Sequence, residues 1–418
     1  MHKETVLTNG IHILSEKVPH VHSVVVGFWI SVGSRDESPE VAGITHFIEH
    51  LMFKGTKSRT AKQIAESLDA VGGQLNAFTT KEYTCYYVRV LDEFFEFAVD
   101  LLSDMLLNSL FSPDDLDRER NVILEEIKMY EDTPDEQVHD IFARTLWQNH
   151  PLGRSIIGTA DVIANVSREE IMEFYREHYI ASNMIIAVAG NVEHQRVVNK
   201  IEGILGHLEP QKRSRVLQPP SPYSDTCFRK KDTEQVHICT GVPGLPLGHE
   251  NIYVLQLINT ILGGGISSRL FQQIREERGL VYAVFSYHSS YHDGGVFCIY
   301  LGLSPANVAT AMELVFKEIR DIQSKGVTDM ELQRAKDQLR GNLLLSLEHV
   351  SSRMSRLGKS QMYLGKVIPQ EEIVKRINSI SNERIKEVAA NILVPDKFCL
   401  ASVGPWEDPD LITRLKSI

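Results

Sequence analysis

The sequence predicts an α+β protein of two similar halves, each a mostly antiparallel sheet packed with helices, and three observations carry that prediction. Strand-like and helix-like segments interleave along all 418 residues without the steady strand–helix alternation of a doubly wound parallel sheet. A proline-rich stretch, 209–226, with Pro210, Pro219, Pro220 and Pro222, lies at the midpoint and reads as an extended linker, because proline removes backbone donors and disfavours helix. Segments on either side of it repeat in register. Ser112–Arg120 echoes Thr328–Lys336, with Leu116 over Leu332 and Arg118 over Arg334. Met184–Gly190 echoes Phe398–Gly404, and Phe53 matches Phe271. The three offsets, 216, 214 and 218 residues, divide the chain into 1–208, the linker 209–226, and 227–418.

The elements follow in order. Ser23–Ser31 and Tyr83–Val90 are rich in β-branched and aromatic residues and read as strands. Ser38-Pro39 offers an N-cap and a first-turn proline for a helix stopping near Gly55. Ser112-Pro113, with Asp115 at the third helical position, starts another helix that runs to about Tyr130, before Thr133-Pro134. Met184–Ala189 is a short buried strand closed by Gly190-Asn191.

Composition narrows the function. With 43% apolar and 24% charged residues the chain is globular rather than disordered. Its longest apolar run, Val24–Val32 interrupted by Gly27 and Ser31, is far short of the roughly 20 residues of a membrane span. Met1–His20 shows no apolar run followed by a small-residue cleavage site, so a cytoplasmic chain without a membrane partner is expected. A net charge of −11 argues against nucleic-acid binding, which needs a cationic footprint. Five scattered cysteines, never in a C-x-x-C pair, are expected as buried small hydrophobes rather than as disulfides or a cysteine-based zinc site.

The chemistry concentrates in Thr45-His46-Phe-Ile-Glu49-His50-Leu51. On a helix, His46 and His50 project from one face a turn apart, a spacing that suits two imidazoles on one Zn²⁺. Glu49 borders the same site and can act as a base, while Phe47, Ile48, Leu51 and Met52 would bury the helix. A core helix with two hydrogen-bonded histidines is the competing reading. A zinc site with two histidines commonly takes a carboxylate third, and the second helix offers Glu119, Glu125 and Glu126. Glu119 and Glu126 share one face with Val122 and Met129, a stripe that reads as buried, whereas Glu125 points elsewhere toward solvent. A surface ion pair with Arg118 or Arg120 is the alternative for Glu119.

His46-x-x-Glu49-His50, followed 76 positions later by Glu126, resembles the pitrilysin-type zinc peptidases of the inverted HxxEH (inverzincin) group. The chain is most similar to their half-length members, the β subunit of mitochondrial processing peptidase and the bacterial processing proteases. Gly72–Thr79, His150-Pro-Leu-Gly153, Phe174-Tyr-x-x-x-Tyr179, Ser268–Phe271 with Arg275, and Gly279-Leu-Val-Tyr282 extend the likeness along essentially the whole chain.

The resemblance implies one Zn²⁺ per chain held by His46, His50 and Glu126, with Glu49 the general base that activates the zinc-bound water. It implies that Glu119 orients a ligand histidine, and that Asn76 and Ala77 lie on an edge strand pairing with the substrate backbone. Arg275 and Tyr282 would grip the peptide carbonyl beside the cut. Read without the family, Arg275 is an ordinary partner of Glu276 or Glu277 and Tyr282 a packed strand residue. The family also implies half of a dimeric clamshell, so a homodimer is expected, with Arg275 and Tyr282 acting in trans on unfolded or presequence-like peptides. The alternative is a non-catalytic or partner-dependent subunit of a heterodimeric processing peptidase.

Under the 218 offset, His46, Glu49 and His50 fall on Gly264, Ser267 and Ser268, and under the 216 offset Glu126 falls on Asn342. The second copy therefore lacks the ligands and is expected to face substrate. Gly263-Gly-Gly265 lacks the Gly-Lys-Ser/Thr of a phosphate loop, and His20 and His22 read as an exposed lead-in to a strand.

Overall fold

The continuous apolar run after Ser23 marks a strand buried on both faces, and it sits inside the first sheet. The computed structural model describes residues 2–211, 215–411 and 414. Six strands make the first sheet: β1 (His2–Val6), β2 (His12–Lys17), β3 (Ser23–Ile30), β4 (Gln74–Thr79), β5 (Thr84–Leu91) and β6 (Met184–Gly190), in the order β1-β2-β6-β3-β5-β4. Only β2 and β6 pair in parallel. Val24, Val26, Phe28 and Ile30 enter the main core of this unit, with Phe47 and Ile48 of helix α1 (Ile44–Leu51) and Ile123 and Ile127 of helix α2 (Pro113–Glu131). Val25 and Trp29 face the other way.

The second sheet contains β7 (Thr226–Arg229), β8 (Val236–Pro243), β9 (Val281–Ser290), β10 (Gly295–Leu303) and β11 (Cys399–Val403), in the order β7-β11-β8-β10-β9. Its one parallel pair is β7–β11. Reading β2-β6-β3-β5-β4 against β7-β11-β8-β10-β9 gives the same sequence of pairings, one parallel and then three antiparallel. The repeat inferred from sequence is thus a repeat of topology, to which the first unit adds β1.

The linear division of the chain is corrected. One unit comprises residues up to Lys128, Arg154–Val216 and Leu345–Val367; the other comprises Met129–Gly153, Leu217–Leu344 and residues from Ile368. The cause is the need to cover each sheet's second face. Helix α3 (Pro134–Leu146), from the first half of the sequence, buries Val138, Phe142 and Leu146 against Cys239, Cys298, Tyr300 and Val403 of the second sheet. In the second half, helix α4 (Ile252–Leu262) and helix α5 (Asp329–Ser346) as far as Leu344 belong to the second unit, whereas helix α6 (Val350–Leu364) packs Val350, Met354 and Leu357 on Val25, Trp29 and Ile185 of the first sheet. The approach is close: a Cβ on Gly358 would lie 2.3 Å from the Trp29 ring.

Among its described residues the linker carries no regular element before Thr226, which opens β7, but it is anchored. Arg215 forks onto Asp36 at 2.7 and 2.6 Å, and the Tyr223 N–H donates to Leu146 O at 2.9 Å; residues 212–214 lie outside the described residues. Among the described residues no helix is long and apolar enough to cross a membrane.

Candidate active site

Helix α1 begins later than Ser38-Pro39 suggests. Pro39–Val41 forms a separate 3₁₀ turn, and α1 starts at Ile44 after Gly43, whose φ of +98° breaks the run and favours glycine. Gly43 has no side chain with which to cap the helix. Glu37 does so from a distance: its Oε2 accepts the Gly43 N–H at 2.8 Å and its Oε1 the Thr45 N–H at 2.9 Å. Burial pushes the Glu37 carboxyl up to about 7, against the pull of those two backbone donors. The α1 face carrying Phe47, Ile48 and Leu51 is buried, which points His46, Glu49 and His50 away from the core.

Glu126 meets both imidazoles. Its Oε2 lies 3.9 Å from His46 Nε2 and 3.7 Å from His50 Nε2, and the three ligand-type atoms all fall within 4.8 Å of one another. Ligands at ~2.0–2.2 Å around a tetrahedral zinc stand roughly 3.3–3.6 Å apart, so this donor set fits the ion after a small contraction. Two features of the histidines suit it. Burial, with the neighbouring His50, holds His46 down at about 4, so its ring is neutral. Among the described residues His46 Nδ1 is buried without a hydrogen-bond partner, and 3.9 Å is too long for Nε2 to hydrogen-bond Glu126. Nε2 is therefore free to take an ion, which would leave the unpartnered Nδ1 as it is.

Around this trio sit three carboxylate contacts. Glu119, 8% exposed, places Oε2 3.2 Å from His50 Nδ1 and Oε1 2.8 Å from Lys54 Nζ. An Nδ1–H donated to Glu119 leaves His50 Nε2 as the lone-pair nitrogen facing Glu126. Glu49 accepts a 2.5 Å hydrogen bond from Thr79 Oγ1 of β4. Burial raises its carboxyl pKa, an effect opposed by Thr79 and His50 and reinforced by Glu126.

The α2 stripe is not the buried face expected from the sequence. Val122 and Met129 are exposed, so the face shared by Glu119 and Glu126 is not core; it borders α1, with Glu119 buried and Glu126 partly open. Glu125 is solvated and pairs with Lys128, as its position on the helix suggested. Sequence reasoning did not single out Glu37, Thr79 or Lys54. Only Glu37 left a trace, as an acidic residue shortly before a helix whose start lacks a capping side chain.

Strand β4 is the edge of its sheet. Asn76 is exposed on it, and its Oδ1 accepts the Ala77 N–H at 2.8 Å. Arg275 and Tyr282 belong to the other unit, where Arg275 lies in a π-helical turn, Phe271–Glu276, and Tyr282 near the start of β9. Among the described residues Arg275 makes no ion pair; its guanidinium stands 4.8 Å over the Phe271 ring. Tyr282 is 74% exposed rather than packed.

The counterpart of α1 in the second unit is α4, which follows β8 as α1 follows β3. Matching their first residues sets the local offset at 208 rather than 218, and His46, Glu49 and His50 then face Val254, Leu257 and Ile258. Under the 216 offset that relates α2 to α5, Glu119 and Glu126 face Ala335 and Asn342. The positions differ from those expected by sequence, but the ligand set is absent from the second copy in either register.

Comparison with known proteins defines the class as a peptidase fold. Residues 12–160 match the family described as insulinase (peptidase family M16), and residues 165–339 the peptidase M16 inactive domain. The chain is 42% identical over 405 residues to the uncharacterized zinc protease YmxG of Bacillus subtilis, covering 97% of this chain and 98% of the relative. It is 40% identical over 403 residues to an uncharacterized zinc protease of Rickettsia felis, covering 96% of each. In fold it is similar to a protease from Helicobacter pylori (TM-score 0.89, 22% identity, 96% of this chain and 99% of that one). A peptidase M16 inactive domain from Pseudomonas fluorescens is also similar (TM-score 0.91, 20% identity, 98% and 99%). The chain belongs to peptidase family M16, the pitrilysin type that its sequence resembles.

Proposed function

We propose that this chain is a zinc metalloendopeptidase acting on extended or unfolded peptides. The observation that carries the reading is the convergence of His46, His50 and Glu126 from two helices, with Glu49 alongside. Those three residues would hold one zinc ion per chain. When bound, the ion supplies Lewis-acid charge that acidifies a water and polarises a carbonyl. Glu49, partly desolvated and steered by Thr79, takes the proton from the attacking water and delivers it to the leaving amine. Glu119 fixes the tautomer and orientation of His50, and Lys54 balances its charge. The edge of β4 around Asn76 and Ala77 offers backbone groups to an extended peptide, which gives affinity with little side-chain demand.

Arg275 and Tyr282 act, in this proposal, on the peptide carbonyl in the site of a partner subunit of a homodimer. Their exposed side chains support a role outside their own unit's core. A reducing compartment such as the cytoplasm suits the five unpaired thiols.

The test combines metal analysis with a peptide digest. The wild type is expected to carry zinc and cut, Glu49→Gln to keep zinc and lose cutting, and Glu126→Gln to lose both. Zinc-loaded wild type that cuts no peptide alone, but does so with an added partner subunit, would establish the partner-dependent reading instead. For the trans assignment, Glu49→Gln and Arg275→Ala subunits are mixed after each is shown to be nearly inactive. Recovered activity marks one intact site per mixed dimer, and none after verified exchange refutes it.

A further inference from the structure

Away from α1 and α2, a second set of metal-ligating side chains converges in the other unit. His139 of α3, Cys239 of β8 and Cys298 of β10 place one donor atom each within 4.8 Å of one another. The fold explains the meeting. β8 and β10 are antiparallel neighbours in which Cys298 stands opposite Gly241 and Tyr300 opposite Cys239. The two thiols, 59 residues apart in sequence, are thereby two positions apart on one face. Helix α3 lies over that face and brings in His139, whose Nδ1 is 3.3 Å from Cys239 Sγ and 2.8 Å from the Tyr287 hydroxyl. Both cysteines are fully buried, and half-buried His139 is the side nearest solvent.

We propose that His139, Cys239 and Cys298 form a second metal site, for a thiophilic divalent cation of the zinc type. The donor chemistry supports this: two sulfurs and an imidazole are the soft set that selects Zn²⁺ or Cu⁺ over hard cations. Charge decides between those two. Two thiolates and a neutral imidazole cancel a divalent ion, so the buried centre carries no net charge, whereas Cu⁺ would leave one negative charge in an apolar shell of Phe142, Val296 and Ala401. On binding, each S–H bond is replaced by a sulfur–metal bond and the thiol proton leaves to solvent, up to two protons per ion. The Tyr287 hydroxyl, 2.8 Å from His139 Nδ1, holds that ring beside the two thiols and would have to yield the nitrogen to an ion. The inference does not depend on the peptidase reading, since its residues lie on other elements.

The experiment uses the full chain carrying His46→Ala and His50→Ala, so that the α1 centre is removed, under anaerobic reducing conditions with Co²⁺ as the optical probe. About one equivalent of Co²⁺ should bind with an intense thiolate-to-metal absorption band, and Zn²⁺ should displace it. Adding Cys239→Ala or Cys298→Ala should remove the band, while circular dichroism shows whether the sheet is retained. His139→Gln, which keeps both thiols and a polar side chain, should weaken Co²⁺ binding at least ~10-fold. Absence of a thiolate band overturns the proposal, as does a band that survives both cysteine substitutions. A site that takes Cu⁺ but gives no Co²⁺ band overturns the divalent assignment. Peptide hydrolysis by the otherwise wild-type chain carrying Cys298→Ala reads the other centre separately.

Discussion

At the scale of single residues, the helix that presents His46, Glu49 and His50 is capped by a side chain outside that set. Glu37 caps α1 from six residues before Gly43, and its position gives a pH prediction. Its ordinary value is 4.5, and burial raises it to about 7 in the folded protein. Between those values the folded chain holds one proton more than the unfolded chain. Its contribution is therefore greatest below about 4.5, falls as pH rises toward 7, and is level above. Glu37→Gln should remove this slope, so wild type and variant should diverge by on the order of 3 kcal/mol across that interval. Melting curves of both proteins across the interval check it; parallel curves would show that Glu37 does not hold its proton. His46 and His50 were legible in the sequence because a spacing of four is a property of the helix itself. Glu37 and Thr79 were not, since a remote cap and a cross-element hydrogen bond have no local period.

At the scale of elements, most spans read from sequence match the structure. Ser23–Ile30, Thr84–Leu91, Met184–Gly190 and Pro113–Glu131 agree with expectation to within a residue or so. The start of α1 did not, because the Ser38-Pro39 signal serves a 3₁₀ turn and Gly43 restarts the chain. Helix α6 yields a sharper test. Gly358→Ala places a methyl group into the Trp29 ring, and overpacking of this kind costs about 1–3 kcal/mol. The loss should appear in the first unit even though residue 358 belongs to the second half of the sequence. Amide exchange would then show reduced protection in β3 and β6 and little change in β8 and β10; the reverse pattern would contradict the assignment of α6.

At the scale of the whole molecule, each unit is assembled from both halves of the sequence. A chain cut after Val216, in the exposed linker, should therefore not yield two independent domains. Fragment 1–216 lacks α6 and uncovers Val25, Trp29 and Ile185; fragment 217–418 lacks α3 and uncovers Cys239, Cys298 and Tyr300. Expressed together, the fragments should co-elute as one folded species, and each alone should lack a cooperative melt. Two separately folded fragments would contradict this interleaving.

By itself the sequence determined what depends on neighbours along the chain: the strands, the helix presenting His46, Glu49 and His50 together, the twofold repeat and the family. The tertiary structure decided what depends on burial between distant segments. It brought Glu126 to the imidazoles, aimed Glu37 at the start of α1, exchanged α3 and α6 between the units, and set two cysteines that look unrelated in sequence beside one histidine. Local spacing follows from helix and strand geometry, whereas these meetings follow from covering both faces of two sheets, which no short window of residues specifies.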